Sequence, residues 1–209
     1  MKFNFNNCVL FFLFFIPSYS AAESLLEKHP PYTIEINCPE NKGTCTLTLS
    51  DTLANRKFNT RIVLDLNVVG FIWYPDHLVE IIQRFGTNDS YSKFLDYKNF
   101  TLSLNSYSDV VAVDENKNLL AYSGIDEKSH ADAVLVQPIF KNTKKIFAIT
   151  RKFEVTPSIS VRREYSKFTK NNTLILDYDA DENGKLKPMT EEIKIPPTLA
   201  TDPNFDYLN

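Results

Sequence analysis

The chain has 209 residues, of which 43% are hydrophobic, and its formal net charge is −3. A chain of this length is typical of one domain and is long enough to bury a core without many covalent cross-links. The mildly acidic balance gives no reason to expect a nucleic-acid partner.

The beginning of the chain, residues 1–22, has the pattern of a secretory signal peptide. Lys2 supplies a positive charge, residues 8–16 form an unbroken apolar run, and small residues follow, so cleavage is expected after Ser20 or Ala22. The run is far shorter than the roughly 20 apolar residues of a spanning helix, and no later segment is long and apolar enough to span a bilayer. We therefore expect an exported protein without a transmembrane segment, most simply in a bacterial periplasm, with an extracellular location as the alternative.

Two cysteines, Cys38 and Cys45, lie in the segment CPENKGTC. An exported chain meets oxidising conditions, so a pair this close is expected to form a disulfide. Turn-forming residues lie between the two cysteines and strand-like residues flank them, which predicts a disulfide-clamped hairpin. A zinc site is the alternative, but there is no second Cys or His pair to complete four ligands.

Further along the chain, segments rich in Val, Ile, Thr, Phe and Tyr alternate between apolar and polar residues, which predicts strands. The predicted strands are residues 46–50, 61–69, 101–108, 110–113, 133–140, 145–155 and 173–178. Pro157 separates the strand at 145–155 from another strand-like segment, SISVRREYS.

One segment between these strands has a helical pattern. In PDHLVEIIQRFG, apolar residues recur at i, i+3, i+4 and i+7, namely Leu78, Ile81, Ile82 and Phe85. Pro and Asp precede this pattern and Gly follows it, as at the ends of a helix. A second, shorter helix is predicted in DSYSKFLDY.

These elements predict an α+β fold. Because no βαβ alternation recurs, we expect a mostly antiparallel β-sheet or sandwich with one or two helices packed on it. The signal peptide at 1–22 would precede a single domain over 23–195. The proline-rich residues 196–209 would form an extended or mobile tail.

The acidic segment DYDADENGKLKPMTEE contains the beginning of a calcium-loop pattern. The residues that match its first six positions are Asp179, Asp181, Asn183 and Gly184. Position 12 is Thr190, however, and the bidentate Glu that completes such a site is missing. A second DEN sequence at residues 114–116 also follows an apolar strand, so we interpret both as hairpin turns. Calcium at Asp179, Asp181 and Asn183 remains the weaker alternative, and no other metal or cofactor is expected.

No recognised catalytic motif occurs in the chain, and no catalytic residue is proposed. Asp126, His130 and Asp132 could approach a metal, but they are interpreted as a polar loop. His29 is expected to be exposed near the cleaved terminus, and His77 to lie in the first turn of the predicted helix. Ser129 beside His130 is not interpreted as part of a catalytic triad, because neighbours in sequence seldom point at one substrate. Glycosylation sequons occur at Asn88, Asn99 and Asn171 and would matter only in a host that glycosylates exported proteins.

The charges are distributed unevenly along the second half of the chain. Residues 141–170 are rich in Lys and Arg, whereas the residues after 170 are rich in Asp and Glu. Either the two segments face each other or solvent, or the basic segment contacts an anionic surface or an acidic protein. The candidate partner-binding residues are Arg151, Lys152, Arg162 and Arg163, in a segment expected to be β.

Three classes of function remain after this reading. The first is an exported binding protein that is not an enzyme and has a protein partner, such as a periplasmic immunity-type inhibitor that neutralises a toxic enzyme. The second is an envelope or surface component, or an adhesin, that uses exposed strand edges. The third is an enzyme with an unrecognised site.

Overall fold

The computed structural model describes residues 23–39, 43–64, 69–85, 89–141 and 146–200. Within these ranges the chain forms sixteen strands and two helices of four residues each. The predicted signal peptide at 1–22 and the sequon at Asn88 lie outside the described residues.

The strands form four antiparallel sheets that follow one another along the chain. Sheet A contains β1 (Glu23–His29), β2 (Tyr32–Cys38), β3 (Gly43–Asp51) and β4 (Arg56–Leu64). Sheet B contains β5 (Val69–Trp73), β6 (Leu78–Phe85), β7 (Asp89–Asp96), β8 (Thr101–Leu102) and β9 (Tyr107–Ser108). Sheet C contains β10 (Val110–Asp114), β11 (Leu119–Ile125), β12 (Asp132–Pro138) and β13 (Phe147–Thr150). Sheet D contains β14 (Lys167–Thr169), β15 (Thr173–Glu182) and β16 (Lys185–Lys194). The helices are α1 (Pro157–Ser160) and α2 (Pro197–Ala200).

The four sheets pack face to face in chain order, with a hydrophobic core between each neighbouring pair. Successive side chains of a strand point to opposite faces of the sheet. In β6, Val79 and Ile81 therefore pack against sheet A, whereas Leu78 packs against sheet C. In β11, Leu120 faces sheet B and Leu119 faces sheet D. Sheets B and C are thus buried on both faces, and the predicted β-rich, antiparallel architecture is confirmed.

The helix predicted in PDHLVEIIQRFG is wrong, because Leu78–Phe85 form β6, and the second predicted helix is wrong, because Asp89–Asp96 form β7. Leu78, Val79, Glu80 and Ile81 are all essentially inaccessible to solvent. A strand buried on both faces carries apolar residues at consecutive positions, so it lacks the period of two and resembles a helical face. No helix packed on a sheet is found among the described residues beyond the single turns α1 and α2.

The segment expected to hold two long strands around Pro157 is also different. Strand β13 ends at Thr150, and the chain then follows one edge of β15 through isolated bridges at Phe153 and Val161. Between these bridges the chain leaves the sheet, and we call residues 155–160, which include α1, the excursion. Arg151, Lys152, Arg162 and Arg163 therefore lie outside regular strands, contrary to the expectation that their segment is β.

Both DEN segments lie at hairpin turns, as predicted. Asn118 in the first turn and Asn183 in the second have positive φ angles of 50° and 58°, and Gly184 has a φ of 76°. The second turn joins β15 to β16, in which Glu182 pairs with Lys185. Strand β16 has no strand-like pattern in the sequence, because its residues are mostly polar.

The cysteine pair and the C-terminal segment complete the fold. Cys38 and Cys45 lie at disulfide-bonding distance, with Cα atoms 4.2 Å apart, between β2 and β3. In the region predicted to be an extended tail, residues 197–200 form α2, and Leu199 packs into the core between sheets C and D. Residues 201–209 lie outside the described residues.

Candidate functional site

The four basic residues proposed from the sequence do not form one surface. Arg151 pairs with Glu191 of β16, with both nitrogen–oxygen distances at 2.9 Å. Arg162 pairs with Asp177, and with Asp179 at 3.2 Å, on the outer face of β15. Arg163 turns towards sheet B, whereas Lys152 has no ion-pair partner within the described part of the chain. The basic segment and the acidic segment therefore face each other at several points, and the predicted partner-binding role of these residues stays a prediction.

The ion pairs and hydrogen bonds of sheet D shift the pKa values of the groups that form them. The hydrogen bond from Arg151 lowers the pKa of Glu191 below its usual range. Burial, followed by the hydrogen bond to Glu191, raises the pKa of Tyr178 to about 12. Burial acts to raise the pKa of Asp177, but the hydrogen bonds from Thr190 and Arg162 outweigh it, so the net shift is downward.

Arg163 belongs to a buried polar network that reaches sheet B. Its Nη1 donates to Glu80 at 3.1 Å, and its Nη2 donates both to Glu80 and to the hydroxyl of Tyr74. The same carboxylate accepts hydrogen bonds from Ser92 at 2.6 Å and from Tyr74 at 2.8 Å. Glu80 is 0% exposed, so its charge is compensated entirely by these partners.

The network shifts the pKa values of two of its members, Tyr74 and Arg163. Burial, followed by the charge of Glu80, raises the pKa of Tyr74 well above its usual value. Burial acts to lower the pKa of Arg163, but Glu80 outweighs it and the net shift is upward. A cleft of about 490 Å³ lies over the network, lined in part by Ile72 and Val111. Because the guanidinium charge is matched by Glu80, the arrangement joins sheet B to the segment before β14.

A second cleft, which we call the C–D cleft, lies at one end of sheets C and D and has a volume of about 400 Å³. It is lined by Ala131, Asp132, Arg151, Lys152, Phe153, Val155, Asp181 and Asn183. Its wall is fixed by backbone hydrogen bonds of 3.0 Å from Asp181 N to Lys152 O and from Glu154 N to Asp179 O. The cleft therefore gathers two of the proposed basic residues and two of the proposed calcium ligands, with charges of both signs.

Exposed aliphatic side chains lie on segments that line the C–D cleft or pair with its residues. Val155 is 53% exposed, Ile159 is 50% exposed, and Ile125, which pairs with the cleft residue Asp132, is 60% exposed. The excursion that carries the first two is held by hydrogen bonds from Val155 N to Ser160 Oγ at 3.2 Å and from Ser160 N to Thr156 O at 2.9 Å. It also contacts β11 and β12, so it presents its apolar side chains from a fixed backbone.

Several of the residues considered as metal ligands contact other groups of the same chain. Asp179 is paired with Arg162, and Asp181 accepts a hydrogen bond from Gly184 N at 2.6 Å. The side chain of Asp126 accepts hydrogen bonds from Ser129, and His130 is exposed. Among the described residues, no group of three or more His, Cys, Asp or Glu side chains is arranged to hold a metal ion. Calcium binding stays untested.

The remaining candidates are scattered over the molecule. His29 is exposed and stacks on Trp73, with ring centroids 4.5 Å apart. His77 lies 3.0 Å from the side-chain oxygen of Asn118. The sequons at Asn99 and Asn171 are exposed.

Sequence reasoning missed Glu80, Tyr74 and the excursion. The only local signal for Glu80 is a single charge inside the apolar run LVEII, which could have indicated a buried carboxylate that needs a partner. The exposure of Val155 and Ile159 has no signal in the sequence, because both residues are typical of a strand.

Comparisons with known proteins add no relative. No protein-family model matches the chain, and no curated protein matches it. Within the described ranges, no helix is long and apolar enough to cross a membrane.

Proposed function

We propose that the protein is exported and acts by binding another protein, and that it is an immunity-type inhibitor that neutralises a toxic enzyme in the periplasm. The observation that carries the proposal is the excursion beside the C–D cleft, where Val155 and Ile159 are half exposed on a backbone held by hydrogen bonds. That the chain is not an enzyme is part of the same proposal.

The composition of this surface supports the proposal. Fully burying a Val or Ile side chain contributes about 1.5–3 kcal/mol, and these side chains are half buried already, so about half of that remains for binding. A pre-organised surface loses less conformational entropy when a partner binds. Lys152 lies beside Val155 without an ion-pair partner among the described residues, and charges around an apolar centre set orientation and association rate.

Two features support export. The first is the signal-peptide pattern at residues 1–22. The second is the cysteine pair at disulfide-bonding distance, because such bonds persist in oxidising compartments.

An envelope component that assembles through strand edges is the alternative. One long edge of the stack is β16, all of whose ten residues are exposed or partly exposed. It carries Lys185, Lys187, Pro188 and Lys194, and lysine and proline on an edge strand oppose pairing with another chain. This edge therefore favours the binding proposal over strand-edge assembly.

The test is affinity capture from a periplasmic extract of the cells that produce the protein. The wild-type protein is compared with the double variant Val155→Asp/Ile159→Asp and with the control Val63→Asp, which alters an exposed aliphatic residue of sheet A. Wild type and control should retain the same partner, and the double variant should bind it at least about tenfold more weakly, because it places carboxylates in an apolar contact. Equal capture by all three proteins, or capture of envelope-assembly proteins alone, would contradict the proposal.

A further inference from the structure

A second exposed surface lies at one end of sheet A, away from the C–D cleft. The β1–β2 turn and the β3–β4 turn lie side by side there, because His29 pairs with Tyr32, Tyr32 with Asp51, and Asp51 with Arg56. The backbone nitrogen and the hydroxyl of Thr52 both donate to Pro31 O, at 3.0 and 2.9 Å. The two turns, residues 28–31 and 52–57, are therefore tied together, and we call them the basic tip.

Leu53 projects from the basic tip and is 84% exposed. Its position is fixed, because Asp51 Oδ1 accepts hydrogen bonds of 3.0 Å from the backbone nitrogens of Leu53 and Ala54. Asp51 is itself nearly buried, and Asn55 closes the turn with a φ of 50°, which asparagine tolerates better than most residues. A large apolar side chain held in solvent on a rigid turn costs little ordering entropy when it enters a pocket.

The charged residues of the basic tip are all positive. Lys28, Arg56 and Lys57 are exposed, and no carboxylate of the described residues pairs with any of them. Lys28 and Lys57 lie in one row across sheet A, through Thr33 and Ser50. The guanidinium of Arg56 lies over the ring of Phe100, 4.0 Å from its centre, so it is held in place without being neutralised.

We infer that the basic tip docks into a partner protein whose apolar pocket receives Leu53 and whose rim carries carboxylates. The positive charge of the tip matches the carboxylates of the rim, and burial of one leucine side chain supplies the apolar contact expected at the centre of an interface. An anionic lipid surface would attract the same cations. Membrane-surface segments, however, present a stripe of several large apolar residues, whereas Leu53 is flanked by Thr52 and Ala54.

This surface is distinct from the one proposed at the C–D cleft, because it belongs to sheet A. A partner of the basic tip is therefore not required by the proposed function. The inference adds a second contact site to the molecule.

The experiment places a photo-crosslinking amino acid, p-benzoylphenylalanine, at Leu53 in the exported protein, and at the exposed Leu104, between β8 and β9, as a control. The inference predicts one discrete adduct from position 53 and none of the same partner from position 104. Mass spectrometry of the adduct should locate the cross-link beside Asp or Glu residues. The adduct should persist in the Val155→Asp/Ile159→Asp background, which separates failure of this inference from failure of the proposed function.

Affinity measurements with the purified partner complete the test. Leu53→Ala should raise the Kd at least about tenfold, from the lost apolar burial. Lys28→Glu/Lys57→Glu should raise it as well, and the wild-type Kd should rise between 0.05 and 0.5 M salt, because salt screens exposed charges. The control is Val63→Ala. Val63 lies at the opposite end of β4 from Lys57, so this variant should leave the Kd unchanged.

Several results would overturn the inference. These are the absence of an adduct at position 53, a partner whose cross-linked surface lacks carboxylates, and a Kd that Leu53→Ala does not change. Leu53-dependent binding to phosphatidylglycerol vesicles in place of a protein adduct would assign the surface to a membrane instead.

Discussion

Glu80 is a charged side chain with no access to solvent, between two sheets, in a strand whose other residues are mostly apolar. Its charge is tolerated because Arg163, Tyr74 and Ser92 together supply hydrogen bonds to both oxygens. Such a pair adds little net stability compared with an apolar replacement, but removing one partner leaves the other unmatched. The two partners are not equivalent, because the Arg163 side chain is 36% exposed and Glu80 is not.

Replacing Arg163 and replacing Glu80 should therefore have unequal effects on the free energy of unfolding. Arg163→Met leaves a fully buried carboxylate without its cation and should lower the free energy of unfolding by about 3 kcal/mol or more. Glu80→Gln keeps most of the hydrogen bonds and leaves a guanidinium that can reach water, so its cost should be only about 1–2 kcal/mol. Urea denaturation followed by circular dichroism measures both values.

The matched control for this comparison is Arg61→Met, since Arg61 is exposed on sheet A and has no ion-pair partner among the described residues. It should change the free energy of unfolding by less than about 0.5 kcal/mol. If Arg163→Met proved no more destabilising than Arg61→Met, the network would not hold Arg163 as described.

At the scale of single residues, the role of a side chain could be predicted from the sequence only where its partners are close in sequence. The turn role of Asn183 and Gly184 and the pairing of Cys38 with Cys45 depend on neighbours in sequence, and the structure has both. Arg163 finds Glu80 across 83 residues of sequence, and no local pattern encodes that contact. For this reason the sequence suggested an external partner for a side chain that has an internal one.

At the scale of the elements, the β15–β16 hairpin is stabilised by ion pairs, and the carboxyl groups of these pairs titrate at acidic pH. Glu191 and Asp177 both have pKa values below their usual range, and the largest cause for Glu191 is the hydrogen bond from Arg151. A carboxyl group with a lowered pKa in the folded state contributes stability above its unfolded pKa, roughly 4. That contribution is lost as the pH falls through the folded value.

The free energy of unfolding should therefore decrease between pH 5 and pH 2.5. Arg151→Met should make this decrease smaller, because Glu191 then titrates with a more ordinary pKa. The pair is about one third exposed, so its contribution should be under about 1 kcal/mol. Urea titrations at a series of pH values measure the difference.

The control is Lys152→Met, which removes the neighbouring cation that has no ion-pair partner among the described residues. It should show the same pH dependence as the wild-type protein. The free energy of unfolding could instead fall by the same amount with pH in Arg151→Met and in Lys152→Met. That result would show that the Arg151–Glu191 pair does not persist in solution.

The helix predicted at PDHLVEIIQRFG illustrates what pattern alone cannot settle for an element. Whether Leu78, Ile81 and Ile82 form a helical face or a strand depends on whether a second sheet covers the other side. That is a property of the tertiary structure. Strand β16 was missed for the opposite reason, because a polar edge strand has no buried face to give it a period.

The whole molecule is a stack of four sheets in chain order, and each sheet is completed before the next begins. Strand–turn–strand contacts between sequence neighbours are predictable, which is why the antiparallel, β-rich architecture could be derived from the sequence. The number of sheets and their order of packing could not, because three separate cores require long-range contacts. The stack also separates the C–D cleft from the basic tip, so a bound partner can cover one and leave the other free.

The most direct test of the central claim, that the protein neutralises a toxic enzyme by contact, is a survival assay. Cells direct the product of the gene adjacent to that of this protein to the periplasm and produce either wild-type protein, Val155→Asp/Ile159→Asp or the control Val63→Asp. The account predicts that cells survive with the wild-type protein and the control and die with the double variant, at equal levels of folded protein. Survival that is the same with the double variant, or an adjacent gene whose product is harmless without this protein, would contradict it.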